Sequence, residues 1–135
     1  MTSSTKKNIA RFILGIVALV NLTAGFKFML APAISLPDYL ISAEGAEGLS
    51  NIRALLGAPL AAIGICVVIA IISANFQYAF PALISASCVF VGRVSGLIMD
   101  GESDLIYVKI AFPVGMFLLL FLAKRLLGKV NTAVQ

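Results

Sequence analysis

The chain has 135 residues, of which 61% are hydrophobic and 12% charged, against roughly 45–50% and 25% in soluble domains. A soluble domain this small has too little interior to hide that much apolar surface, so lipid must cover it. The net charge of +4 does not describe a nucleic-acid binder, because the basic residues sit at helix ends or inside apolar runs and form no solvated stripe.

The chain opens with a short polar stretch, Met1 to Asn8, that carries Lys6 and Lys7. A first apolar run spans 9–30. Its basic start and the following Ala31-Pro32-Ala33 resemble a secretory signal. The run is longer than a signal core and contains Lys27, so it is taken as a membrane helix. The connection 31–50 holds Pro32, Pro37, Asp38, Glu44 and Glu47. Ser35 to Ile41 is expected to form a short amphipathic surface helix there. Gly45 and Gly48 are expected to break the chain before helix two, and Ser50 or Asn51 to cap it.

The second apolar run spans 51–73, the third 78–99 and the fourth 105–123. A tight uncharged turn joins the second to the third, and the acidic turn Asp100-Gly101-Glu102-Ser103-Asp104 joins the third to the fourth. Each run has about the 20 residues needed to cross a bilayer as a helix. The expected fold is all-α, a single domain over 1–135 made of a four-transmembrane-helix bundle. Lys6, Lys7 and Arg11 precede the first crossing, and Lys124, Arg125 and Lys129 follow the fourth. By the positive-inside rule both termini should be cytoplasmic, and all six acidic residues then lie on the outer side. The short turns should make helices two, three and four antiparallel neighbours. Small residues that let helices approach in lipid recur at Ala54, Gly57, Ala61 and Gly64, and at Gly92-x-x-x-Gly96.

The sequence has no histidine, which removes the commonest metal ligand and general base. Cys66 and Cys88 lie inside apolar runs as small, unpaired hydrophobes. No Cys-x-x-Cys motif is present, and no metal, cofactor or catalytic residue is expected. Four cations fall in the outer half of the membrane: Lys27, Arg53, Arg93 and Lys109. Lysine and arginine near a helix end usually extend to the interface. Arg93 is deeper, and a charge at mid-membrane costs anywhere from about 2.5 to 17 kcal/mol without a partner or water. Asp100, two turns on, and Glu102 and Asp104 in the turn are its expected partners. Pro59 and Pro113 should kink helices two and four, each leaving the carbonyl four residues earlier, at Leu55 and Lys109, without its helical donor. Together they outline a small polar chamber around Arg93. Asn21 is a further polar group inside helix one, placed for a bond across helices. Ser85, Ser87 and Ser95 are expected to bond their own helix backbone.

Gly48-Leu49-Ser50-Asn51-Ile52-Arg53-Ala54-Leu55-Leu56-Gly57 resembles the helix-two signature of the domain of unknown function 4345 family, with one residue fewer between the asparagine and the arginine. Gly92-Arg93-Val94-Ser95-Gly96, followed by Asp100-Gly101, resembles that family's third-helix signature. Ala58 and Pro59 depart from its pattern. The resemblance covers nearly the whole chain and implies a small four-helix protein of the bacterial inner membrane, distantly similar to DoxX-like proteins. It marks Asn51, Arg53, Gly57, Arg93 and Asp100 as the family's characteristic positions, and it implies no activity.

Three functional classes follow from these residues. The first is a non-enzymatic accessory or interaction subunit, or a small-ligand binder, built on a polar cluster of Asn51, Arg53, Arg93, Asp100 and Lys109. The second is a transporter or channel component for a small anion held by Arg53 and Arg93. The third is a membrane enzyme with a carboxylate base, the least supported of the three. Expected partners are membrane lipid and further membrane subunits, copies of the same chain included, and not nucleic acid.

Overall fold

The computed structural model describes residues 3–101 and 106–131, with side chains as far as residue 127. Within them the α-helices are α1 (Ser3–Leu30), α2 (Pro32–Ser35), α3 (Gly45–Ile52), α4 (Ala58–Ser73), α5 (Phe80–Asp100) and α6 (Ile106–Asn131). Four stretches are long and apolar enough to cross a membrane: Ser3–Leu30, Gly45–Ser73, Phe76–Asp100 and Ile106–Leu127. The protein is all-α and built as a multi-pass membrane protein.

Helix two differs from expectation at its start. It begins at Gly45, six residues before the expected Asn51, because Gly48 does not interrupt it; its N–H donates to the Glu44 carbonyl at 3.1 Å. A glycine weakens a helix by about 1 kcal/mol relative to alanine, which is not enough to end one. Of these two glycines, Gly45 is the one that uses glycine's conformational freedom, with φ of +63°. Residue 44, not 50 or 51, holds the cap position, and no side chain bonds the free N–H groups there. A π-turn over Arg53–Gly57 then joins α3 to α4, closed by the Ala58 N–H on the Arg53 carbonyl. Such a turn inserts one extra residue and swings the preceding side chains around the axis. Pro59 follows directly, and its ring nitrogen has no hydrogen to give to Leu55.

The first connection is helical as well. α2 and a 3-10 turn at Pro37–Tyr39 fold back over the end of α1, with Pro32, Ser35 and Leu36 buried. The Ser35 hydroxyl donates to the Ala31 carbonyl at 3.1 Å. The Phe28 and Tyr39 rings pack with centroids 4.8 Å apart. At the opposite end, Ala74 turns the chain at φ of +52°. Asn75 Oδ1 accepts from the Gln77 N–H at 3.0 Å, which caps the 3-10 turn leading into α5 (Phe76–Ala79).

The helices pair differently from their order in the chain. α4 packs mainly on α1, α6 lies against both α1 and α5, and α5 meets α4 only sparsely. The α1–α4 approach is close because glycines line it. A Cβ on Gly25 would lie 2.4 Å from the Ala61 nitrogen, and one on Gly57 would lie 2.9 Å from the Met29 nitrogen. A Cβ on Gly64 would lie 2.6 Å from Leu22 Cγ. Among the described residues Gly92 and Gly96 meet no other helix: nothing lies within 4 Å of a Cβ on Gly92, and only the helix's own Asp100 approaches one on Gly96.

The continuous apolar core includes Leu14, Val17, Val67, Ala79, Leu120 and Leu127. These residues come from α1, from the second halves of α4 and α6, and from the 3-10 turn that leads into α5. The bundle is therefore dense at the end that carries the termini and looser at the end that carries the connections 31–44 and 101–105.

Candidate functional site

Among the described residues no bond joins the members of the expected polar cluster to one another. Asn51 and Arg53 are exposed, Arg93 and Asp100 are exposed on α5, and Lys109 is half-buried on α6. Among the described residues no ion pair joins Arg93 to Asp100, or Arg53 to Glu44 or Glu47. The Asp100 carboxylate instead turns back along its own helix, 3.7 Å from where a Cβ on Gly96 would stand. Glu102 and Asp104 lie outside the described residues.

Arg53 has a definite local role. The π-turn aims its Nε at the end of α1, where it donates to the Met29 carbonyl at 3.1 Å. The last four carbonyls of a helix lack intrahelical donors, and a cation there also opposes the negative end of the helix dipole. Arg53 therefore ties α4 to the C-terminal end of α1, immediately beside the Gly57–Met29 contact.

A cavity of about 90 Å³ lies where the four spans meet, just past the dense core. Its walls include Asn21 of α1, Leu60 of α4, Ser85 and Val89 of α5, and Pro113 and Met116 of α6. Pro113 is buried at the wall, whereas Pro59 is exposed and outside it. The chamber thus forms around one of the two prolines and is centred on Asn21 and Ser85, not on Arg93.

The polar groups in this chamber have capacity to spare. Asn21 Nδ2 donates to the Val17 carbonyl of its own helix at 2.9 Å, and among the described residues it makes no bond across helices and its Oδ1 has no partner. Ser87 bonds the Leu83 carbonyl at 3.0 Å, as expected of a serine in an apolar helix. Ser85, two residues earlier, makes no such bond, although it is half-buried against the cavity. Periodicity alone cannot separate these two serines. Ser85, Ala82 and Val89 share one helix face, and only the position of α6 across from that face marks Ser85 as lining a space.

A second space, an apolar groove of about 290 Å³, runs along the outside of the α5–α6 pair between Phe90 and Val91 on one side and Val114 and Phe117 on the other. Cys66 and Cys88 are free thiols, half-buried and exposed respectively. No group of acidic or cysteine residues able to hold a metal occurs among the described residues.

The model of the domain of unknown function 4345 family matches residues 9–123. The chain belongs to that family. The match runs from the start of the first apolar run to Ala123 of α6 and so takes in most or all of each of the four spans. No curated protein and no solved structure matches the chain.

Proposed function

We propose that this family member is a non-enzymatic binding protein of the bacterial inner membrane, holding a small neutral amphiphile in the central cavity. The observation that carries this reading is the unspent hydrogen-bonding capacity of Asn21 and Ser85 inside an otherwise apolar chamber at mid-bundle. An unpartnered polar group in lipid costs about as much as a lost hydrogen bond, so a chamber with two of them favours an occupant that satisfies both. Asn21 Oδ1 is an acceptor and the Ser85 hydroxyl either donates or accepts, which suits a hydroxyl-bearing ligand with an apolar body. At about 90 Å³ the cavity is smaller than the roughly 150 Å³ engineered cavity known to take benzene. The occupant is correspondingly small, or extends between α4 and α5 where packing is sparse. Lys6 and Lys7 before the first span, and Lys124 and Arg125 near the end of the fourth, support a cytoplasmic side for both termini.

Saturation-transfer NMR with 1-butanol on the protein in nanodiscs tests the cavity. The wild type should give a saturable signal. Ala82→Phe, which fills the cavity, should abolish it, and Ser85→Ala should weaken binding by the roughly 0.5–1.5 kcal/mol of one hydrogen bond. Identical signals from all three proteins would mean that butanol merely partitions into lipid, and would end this reading. Saturable anion binding in place of butanol binding would favour the transporter class.

A further inference from the structure

We propose that the α5–α6 groove is a phospholipid site, in which the phosphate sits between Arg93 and Lys109 and one acyl chain lies along the groove. It does not depend on the central cavity having an occupant.

Three observations converge on it. The first is position on the helices. Arg93 follows the groove residue Phe90 by three and Ala86 by seven, spacings that share one helix face. Lys109 precedes the groove residue Pro113 by four, again on one face. The helices run antiparallel, and Ala86 and Phe90 line the groove with Pro113 and Phe117. One turn toward the connection at 101–105, about 4.5–6 Å at ~1.5 Å per residue, brings Arg93 and Lys109 to a similar level on its two walls.

The second is charge. Neither cation makes an ion pair or a hydrogen bond among the described residues, and the carboxylate of α5, Asp100, lies two turns farther along the helix. A guanidinium and an ammonium at one level within a membrane span call for an anion, and a phosphate matches the planar donor fork of arginine. The third is the groove itself. Apart from Ser87, which is bonded to its own helix, its walls are apolar. It opens sideways on a helix that buries only Ala82 and Ala86. A free phosphate would use the two cations and leave the groove unfilled. A phospholipid uses both, since a bilayer presents its phosphates at the ends of its chains.

Native mass spectrometry in a neutral detergent, titrated with dioleoyl phosphatidylglycerol, tests the site. One saturable lipid per chain is expected. Arg93→Gln and Lys109→Gln should each weaken binding about tenfold, as loss of a charge-assisted hydrogen bond requires, and Arg93→Lys, which keeps the charge but lacks the planar fork, should recover only part of the loss. Val114→Trp, which fills the groove and leaves both cations in place, should also remove the saturable lipid. Dioleoylglycerol, which lacks the phosphate, should not bind saturably, and inorganic phosphate in large excess should not displace the lipid. Unchanged lipid affinity in Arg93→Gln or in Val114→Trp would overturn the site. Displacement by inorganic phosphate would assign the cations to a free anion and overturn it equally.

Discussion

Glycine has opposite meanings at two places in this bundle. At Gly25 a methyl group would lie 2.4 Å from the Ala61 nitrogen and 2.8 Å from its Cα, and backbone cannot step aside as a flexible side chain can. Gly25→Ala should therefore push α1 from α4 and destabilise the protein by about 1–3 kcal/mol. Gly92→Ala enters open space and removes a helix-weakening residue, so it should be neutral or stabilising by about 0.5–1 kcal/mol. Denaturation in mixed micelles compares the two, and equal losses would mean that α1 and α4 do not touch at Gly25. In the sequence, Gly57, Gly64, Gly92 and Gly96 carry the same small-residue signature. Spacing shows that a helix face is narrow, but not whether another helix occupies it. Gly25 belongs to no such repeat, yet it makes the closest of these approaches. Asn21 and Ser85 are a similar case: their residue types are visible in the chain, while their shared cavity depends on where α6 lies.

At the scale of single elements, the helices differ greatly in how well they are held. α1 buries seven residues, from Ala10 to Phe28, whereas α5 buries two in a length of 21. Local opening is cheapest where few apolar contacts are lost. Hydrogen exchange in nanodiscs should thus release the half of α5 from Val91 to Asp100 first, and the paired stretches of α1 and α4 last. Uniform protection along α5 would show that something covers its open face, and protection gained only on adding phosphatidylglycerol would point to the groove. The spans themselves were legible as apolar runs, because a helix in lipid must be apolar over its full crossing. The first six residues of helix two were not. Gly45, Ala46, Glu47 and Gly48 read as a breaker in a chain in water, and they are helical here because the continuing helix carries them. The π-turn at Arg53–Gly57 left no signature beyond Pro59, which removes a donor without saying how the backbone will adapt.

At the scale of the whole molecule, four crossings return the chain to the side on which it started. Single cysteines at Ser3 and at Ala46, in a chain with Cys66 and Cys88 changed to alanine, should report the first of these crossings and its direction. A membrane-impermeant maleimide on intact bacterial cells should label position 46, and position 3 only after lysis. Labelling of both in intact cells would mean that Ser3–Leu30 does not cross the membrane. The number of spans, the all-α class and the membership of a family were determined by the sequence alone, because hydrophobic length and short signatures are properties of the chain. Which helices touch was decided by the tertiary structure. α4 packs on α1 and not chiefly on α5, since glycines let their backbones approach where the shorter α4–α5 turn would have suggested the partner. That pairing leaves α5 held on one side by α6, and it is why the dense core stops at mid-bundle. Beyond that point lie the cavity at Asn21 and Ser85, the groove beside Phe90, and the charges of Arg93 and Lys109, which have no partner among the described residues. Each of these depends on the distance between helices, a quantity no linear pattern of residues encodes.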